Sequence, residues 1–225
     1  MFTKATVVRR TIMMSALATA VGVVGLTVRA GALSAKPTTP KSTSIEPSND
    51  WLRGLKAKHK QFFDNPSPNG GIALVHVMNY YDTYNKAFDV KDSDINAVLT
   101  FYGGTTLYAV NDAAWAKYRL GEFLDAKDAS GTSLTANPWR TAPVVLGLTI
   151  PGASIESLEK RGATLIVCNN ALQIFSGLLA QKRGLDAKVV YEDLKSSIIP
   201  GIQLVPGMVI AVEQAQRAGL TYHRQ

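Results

Sequence analysis

From residue 50 onward, short apolar runs alternate with amphipathic stretches. Residues 50–63 set Trp51, Leu55, Phe62 and Phe63 at helix-like spacing, which predicts a helix with the basic run from Arg53 to Lys60 on its solvated side. The turn-rich segment 66–71 ends it. Residues 72–78 form a continuous apolar run of strand length, interrupted only by His76, and predict a first strand. A short helix is expected over 80–88 and a second strand over 95–102, closed by Gly103 and Gly104. Residues 111–120 read as a helix, with Asn111 or Asp112 as its cap.

Residues 125–143 are polar and turn-rich, and are expected to form a long loop or flap. A helix capped by Ser154 follows, with Gly162 as its stop. Residues 164–168 predict the third clear strand and 170–183 the helix after it, ended by Gly184. A helix over 187–197, a short strand over 202–205, a helix over 207–218 and a final strand at 221–222 complete the chain. Strands of four to eight residues separated by helices indicate an α/β fold with a mostly parallel sheet of about five strands and helices on both faces. The continuously apolar character of the strands agrees, because such strands are buried on both sides.

The first 49 residues have a different character. Arg9 and Arg10 precede an uncharged apolar stretch over 15–28, and Ala30-Gly31-Ala32 offers a small-residue cleavage site. Residues 1–32 therefore read as a signal peptide of the twin-arginine type, which implies a periplasmic protein. The stretch falls short of the roughly 20 apolar residues of a membrane span. The alternative is an uncleaved N-terminal anchor, which would tie the protein to the membrane. Residues 33–49, rich in Pro, Ser and Thr, predict an extended, mobile linker. Residues 50–225 then fit a single domain.

The formal net charge of +7 changes meaning once the signal is set apart. Residues 1–32 hold four basic residues and no acid, so the mature charge is about +3. With no basic stripe interleaved with aromatics, nucleic-acid binding is not expected. One cysteine and three scattered histidines give no metal-ligand spacing, and no phosphate-loop motif is present. Neither a metal nor another cofactor is implied.

Candidate chemistry centres on Cys168, the single cysteine, at the end of a strand and immediately ahead of a helix. Ligands gather at the carboxyl ends of parallel strands, and free N–H groups at a helix start favour a thiolate. Such a thiolate attacks a sulfane sulfur or a disulfide. Asn169 or Asn170 is a candidate to cap that helix or to hydrogen-bond an anion there. The other reading is a buried cysteine that packs as a small hydrophobe. His76 is a candidate partner that would activate the thiol, or else a core histidine satisfied by one hydrogen bond. Trp139 and Arg140, in the flap, are suited to covering a neighbouring subunit or gripping an anion, or simply to facing solvent. Trp115, Tyr118 and Phe123 fall at spacings that let a helix bury one face.

Three stretches together resemble the DsrE/DsrF-like family: Arg161-Gly-Ala-Thr-Leu-Ile-Val-Cys-Asn169 with its following helix, Ile199-Pro-Gly-Ile-Gln-Leu-Val-Pro-Gly207 with the helix and Ala218-Gly-Leu-Thr-Tyr222 beyond it, and Asn111-Asp-Ala-Ala-Trp-Ala-Lys-Tyr-Arg-Leu-Gly-Glu122 upstream. The chain is similar to the exported branch of that family. The resemblance implies a three-layer α/β sandwich, homo-oligomers such as trimers or hexamers, and passage of sulfur as a persulfide on the residue matching Cys168. A sulfur donor or acceptor would then be the partner. A non-catalytic periplasmic binding or assembly module with a structural cysteine is the alternative.

Overall fold

The computed structural model describes residues 45–225. The expected signal peptide and residues 33–44 of the linker lie outside the described residues. Within them, a five-stranded, wholly parallel sheet has the order β6-β5-β2-β1-β7. Its strands are β1 (His59–Asp64), β2 (Ile95–Phe101), β5 (Thr164–Cys168), β6 (Gln203–Val205) and β7 (Thr221–Arg224); β3 (Val144–Val145) and β4 (Leu148–Thr149) form a separate antiparallel ribbon.

Alternating side chains on these strands feed two cores, and this alternation builds the layers. On the first face, Phe63, Leu99, Phe101, Leu165 and Val167 pack under the helices α1 (Ile72–Phe88), α2 (Asp112–Tyr118), α4 (Ile155–Lys160), α5 (Asn169–Arg183) and α6 (Ala187–Ser196). On the second, Phe62, Val98, Ile166 and Cys168 pack under α7 (Met208–Arg217) and the 3-10 turn Asp50–Gly54, whose Trp51 is buried. The short helix α3 (Leu120–Phe123) follows α2. The fold is thus an α/β sandwich with helices on both faces. The chain walks β1, β2, β5, β6 in one direction, and then α7 carries it behind the sheet so that β7 joins β1.

Two elements differ from the sequence reading. Residues 50–63 are not one helix but a 3-10 turn followed by β1. Phe62 and Phe63 point to opposite faces of the sheet, each into its own core. Residues 72–78 are not a strand but the start of the 17-residue α1, entered through Gly71 at φ 86°. A continuous apolar run fits either element, and here Ala73, Leu74, Val77 and Tyr81 supply a helical buried side. The Ser48 N–H donates to the Leu204 carbonyl at 2.9 Å, and Lys195 pairs with Glu46. The segment from residue 45 therefore lies beside the β6 edge.

Candidate functional site

Parallel register brings the carboxyl ends of the strands to one line. Phe101 aligns with Val167, and Cys168 with Val205. Cys168 therefore closes β5 on the second face, next to the positions where β2 and β6 end. Its side chain is 5% exposed. The helix after it starts at Asn169, so neither asparagine caps α5; Cys168 is itself the N-cap residue. Its Sγ accepts the Ala171 N–H at 3.4 Å, where a serine or aspartate oxygen would ordinarily accept.

A second helix aims at the same sulfur. The Met208 N–H, at the start of α7, donates to Sγ at 3.3 Å. Gly207, which precedes Met208, lies close to α5: a β-carbon there would stand 3.1 Å from the Asn170 side-chain amide. Helix starts carry unpaired N–H groups and a partial positive charge, so both favour negative charge on the sulfur. A neutral buried thiol is a weak acceptor; a thiolate or a terminal persulfide sulfur is a much better one.

Of the remaining candidates, all but Asn170 are placed elsewhere or spent on other tasks. Asn169 is buried, and its Oδ1 accepts the Tyr191 hydroxyl at 2.7 Å, tying α5 to α6. Asn170 is exposed beside Gly207. His76 lies on α1, on the first face, and meets Gln225 and the His223 ring; the sheet separates it from Cys168. Trp139 and Arg140 are not an exposed pair. Trp139 is 2% exposed and stacks on Tyr108 at 4.1 Å. Arg140 donates to Glu156 and Asp112, each at 2.7 Å, which pins the flap to α4 and α2. Trp115 and Tyr118 are buried in the core, while Phe123 meets Phe175 edge to face.

The structure also places a polar group that the sequence did not signal. Tyr102 follows β2 and packs against the same core as Cys168. Next along the strand ends comes Asp64, buried at the end of β1, whose Oδ2 accepts the Tyr222 hydroxyl of β7. Burial and the Asp64 carboxylate push the Tyr102 phenol above its usual range, so it stays protonated. Tyr222 is raised in the same way. Cys168, Tyr102, Asp64 and Tyr222 thus come from four strands to one end and one face of the sheet. Reading residues 59–64 as a strand would have put Asp64 at its carboxyl end.

Among the described residues no group of three or more His, Cys, Asp or Glu is arranged to hold a metal, and no helix is long and apolar enough to cross a membrane. Compared with protein-family models, curated proteins and solved structures, the chain finds no match.

Proposed function

We propose that the protein handles sulfur through Cys168, accepting a sulfane sulfur as a cysteine persulfide. The observation that carries this reading is the pair of backbone N–H groups, from two helix starts, that meet at Sγ. Such donors stabilise the thiolate that attacks and the anionic persulfide that forms. With thiosulfate as donor, the Cys168 thiolate bonds to the sulfane sulfur, the sulfur–sulfur bond of thiosulfate breaks, and sulfite leaves with the electron pair. The two negative charges of thiosulfate and the one on the thiolate reappear on sulfite and the persulfide. The burial of Cys168 favours a small inorganic donor over a mixed disulfide with a folded protein.

The reading agrees with the resemblance to the DsrE/DsrF-like family, and places the chemistry in the periplasm if residues 1–32 direct export. Isolation from the periplasmic fraction with an N-terminus at residue 33 is the expected result for a cleaved signal. Support for self-association as a trimer or hexamer comes from Ile174 and Leu178 on α5 and Val189 on α6, all apolar and exposed. Light scattering should then report a multiple of the monomer mass. Mass spectrometry of Cys168 after exposure to thiosulfate or polysulfide tests the central claim. A gain of one sulfur atom is expected; a thiol that stays unmodified until the protein is denatured would remove it.

A further inference from the structure

On the first face, far from the helix starts that meet at Cys168, α1 presents a second side. Its core-facing residues are Leu74, Val77 and Tyr81, whereas His76, Tyr80, Tyr84 and Phe88 recur at steps of four and line up along the helix. Below this ridge, Phe63 of β1 and its register partner His223 of β7 form a floor. The rings meet mostly edge to face: Phe63 with Tyr80 at 5.6 Å and Tyr80 with Tyr84 at 5.0 Å. His59 sits 4.3 Å from Tyr84. His76 and His223, far apart in sequence, both line a groove of about 280 Å³.

The topology explains why the groove is open. The connections from β1 through β6 place their helices on the first face, but β7 arrives behind the sheet under α7. Among the described residues no helix covers the first face of β7, and Phe88 is 66% exposed at the groove's mouth.

Two further observations define the ligand. First, among the described residues no Lys, Arg, Asp or Glu lines the groove; Gln61, Asn79 and Thr83 supply its other polar atoms. A charged ligand would lose hydration there without gaining a partner of opposite charge. Second, Gln225 bridges the two imidazoles, its carboxamide meeting Nδ1 of His76 on one side and Nδ1 of His223 on the other. A carboxamide has one accepting and one donating end. Whichever way it is turned, two uncharged imidazoles held by it take opposite tautomers. One outer nitrogen then accepts a hydrogen bond and the other donates one.

We propose that this groove binds a neutral, flat aromatic molecule of one or two rings that carries a hydroxyl or carbonyl group. The rings pack on the Tyr80–Tyr84–Phe88 ridge, and the polar substituent meets His76 or His223. The site is independent of sulfur handling at Cys168.

2-Naphthol is the probe, followed by calorimetry and by NMR of the folded protein. Saturable binding is expected, with shifts confined to α1, β1 and β7. Phe88→Ala, a change at an exposed position, should weaken binding about tenfold. His223→Phe keeps a ring and removes the nitrogen; it should weaken 2-naphthol about tenfold and leave naphthalene within about twofold. The anionic 2-naphthoate should bind at least about tenfold more weakly than 2-naphthol. Cys168→Ser should change none of these values. The proposal is overturned by the absence of saturable binding, by shifts outside the groove, by Phe88→Ala binding like the wild type, or by 2-naphthoate binding as well as 2-naphthol.

Discussion

The backbone N–H of Met208 lies 3.3 Å from the sulfur of Cys168, so one side chain caps the start of α5 and also receives the start of α7. This gives the thiol a structural task that is separate from any reactivity. Cys168→Ala leaves two N–H groups without that acceptor and should cost about 1–2 kcal/mol. Cys168→Ser keeps an oxygen in place and should lose less. Urea unfolding of the two variants provides the comparison, and equal stability of Cys168→Ala and wild type would mean that the sulfur does not cap.

Arg161 gathers three segments. It donates to Asp82 and Asn85 of α1 and to Asp92 ahead of β2, and its guanidinium lies 4.8 Å from the Tyr81 ring centre. The hydrogen bond from Arg161 holds the Asp92 carboxyl below its usual range against the opposing effect of burial. For Asp82, burial pushes the carboxyl up, but hydrogen bonds from Arg161 and Lys86 outweigh it. Both groups are depressed in the folded state. Their stabilisation is therefore complete above the ordinary carboxylate range and is lost as pH falls through the folded values. Arg161→Ala should cost about 1–2 kcal/mol at neutral pH, allowing for the partial exposure of the group. The gap between variant and wild type should narrow in acid, which stability curves measured at several pH values would show.

Gly121 faces backbone rather than a pocket. A β-carbon there would lie 2.0 Å from the Leu134 carbonyl oxygen and 2.7 Å from its nitrogen. Relief requires the 121–134 segment to move as a whole, so Gly121→Ala should cost about 3 kcal/mol or more. A small shift in the thermal midpoint would contradict this.

Asn137 is buried, and its Nδ2 donates to the carbonyls of Tyr108 and Val110 at 2.7 and 2.9 Å. Its Oδ1 accepts the Trp139 N–H. Asn137→Ala leaves two buried carbonyls unpaired and frees the residue that seats Trp139, with an expected cost of about 2–4 kcal/mol. Trp139 fluorescence should shift to the red as the ring gains water.

The second half of the molecule was largely legible because its punctuation is local. Ser154 caps α4, Gly184 ends α5 in the left-handed region, and the limits of β5 follow from the run Thr164–Cys168. Residues 50–63 and 72–78 were read with helix and strand exchanged, for a physical reason. In residues 72–78 the buried Ala73, Leu74 and Val77 are joined by the partly buried Val75 and Met78, so the helical period is invisible over so short a span. It emerges only when His76, Tyr80, Tyr84 and Phe88 are followed through the full 17 residues. In β1, only Phe62 and Phe63 are strongly apolar, and they serve different cores. At the site, Cys168 stood out by its position in the sequence. The second donor did not, because Met208 reaches it only through the pairing of β5 with β6.

The first strand of the sheet and the last lie side by side, with the Thr221 hydroxyl donating to the Lys60 carbonyl 161 positions away. Until the ribosome has released that final strand, a growing chain holds β1 with one flank unpaired and with Asp64 lacking its Tyr222 donor. Completion of the sheet therefore waits on synthesis of residues 221–224.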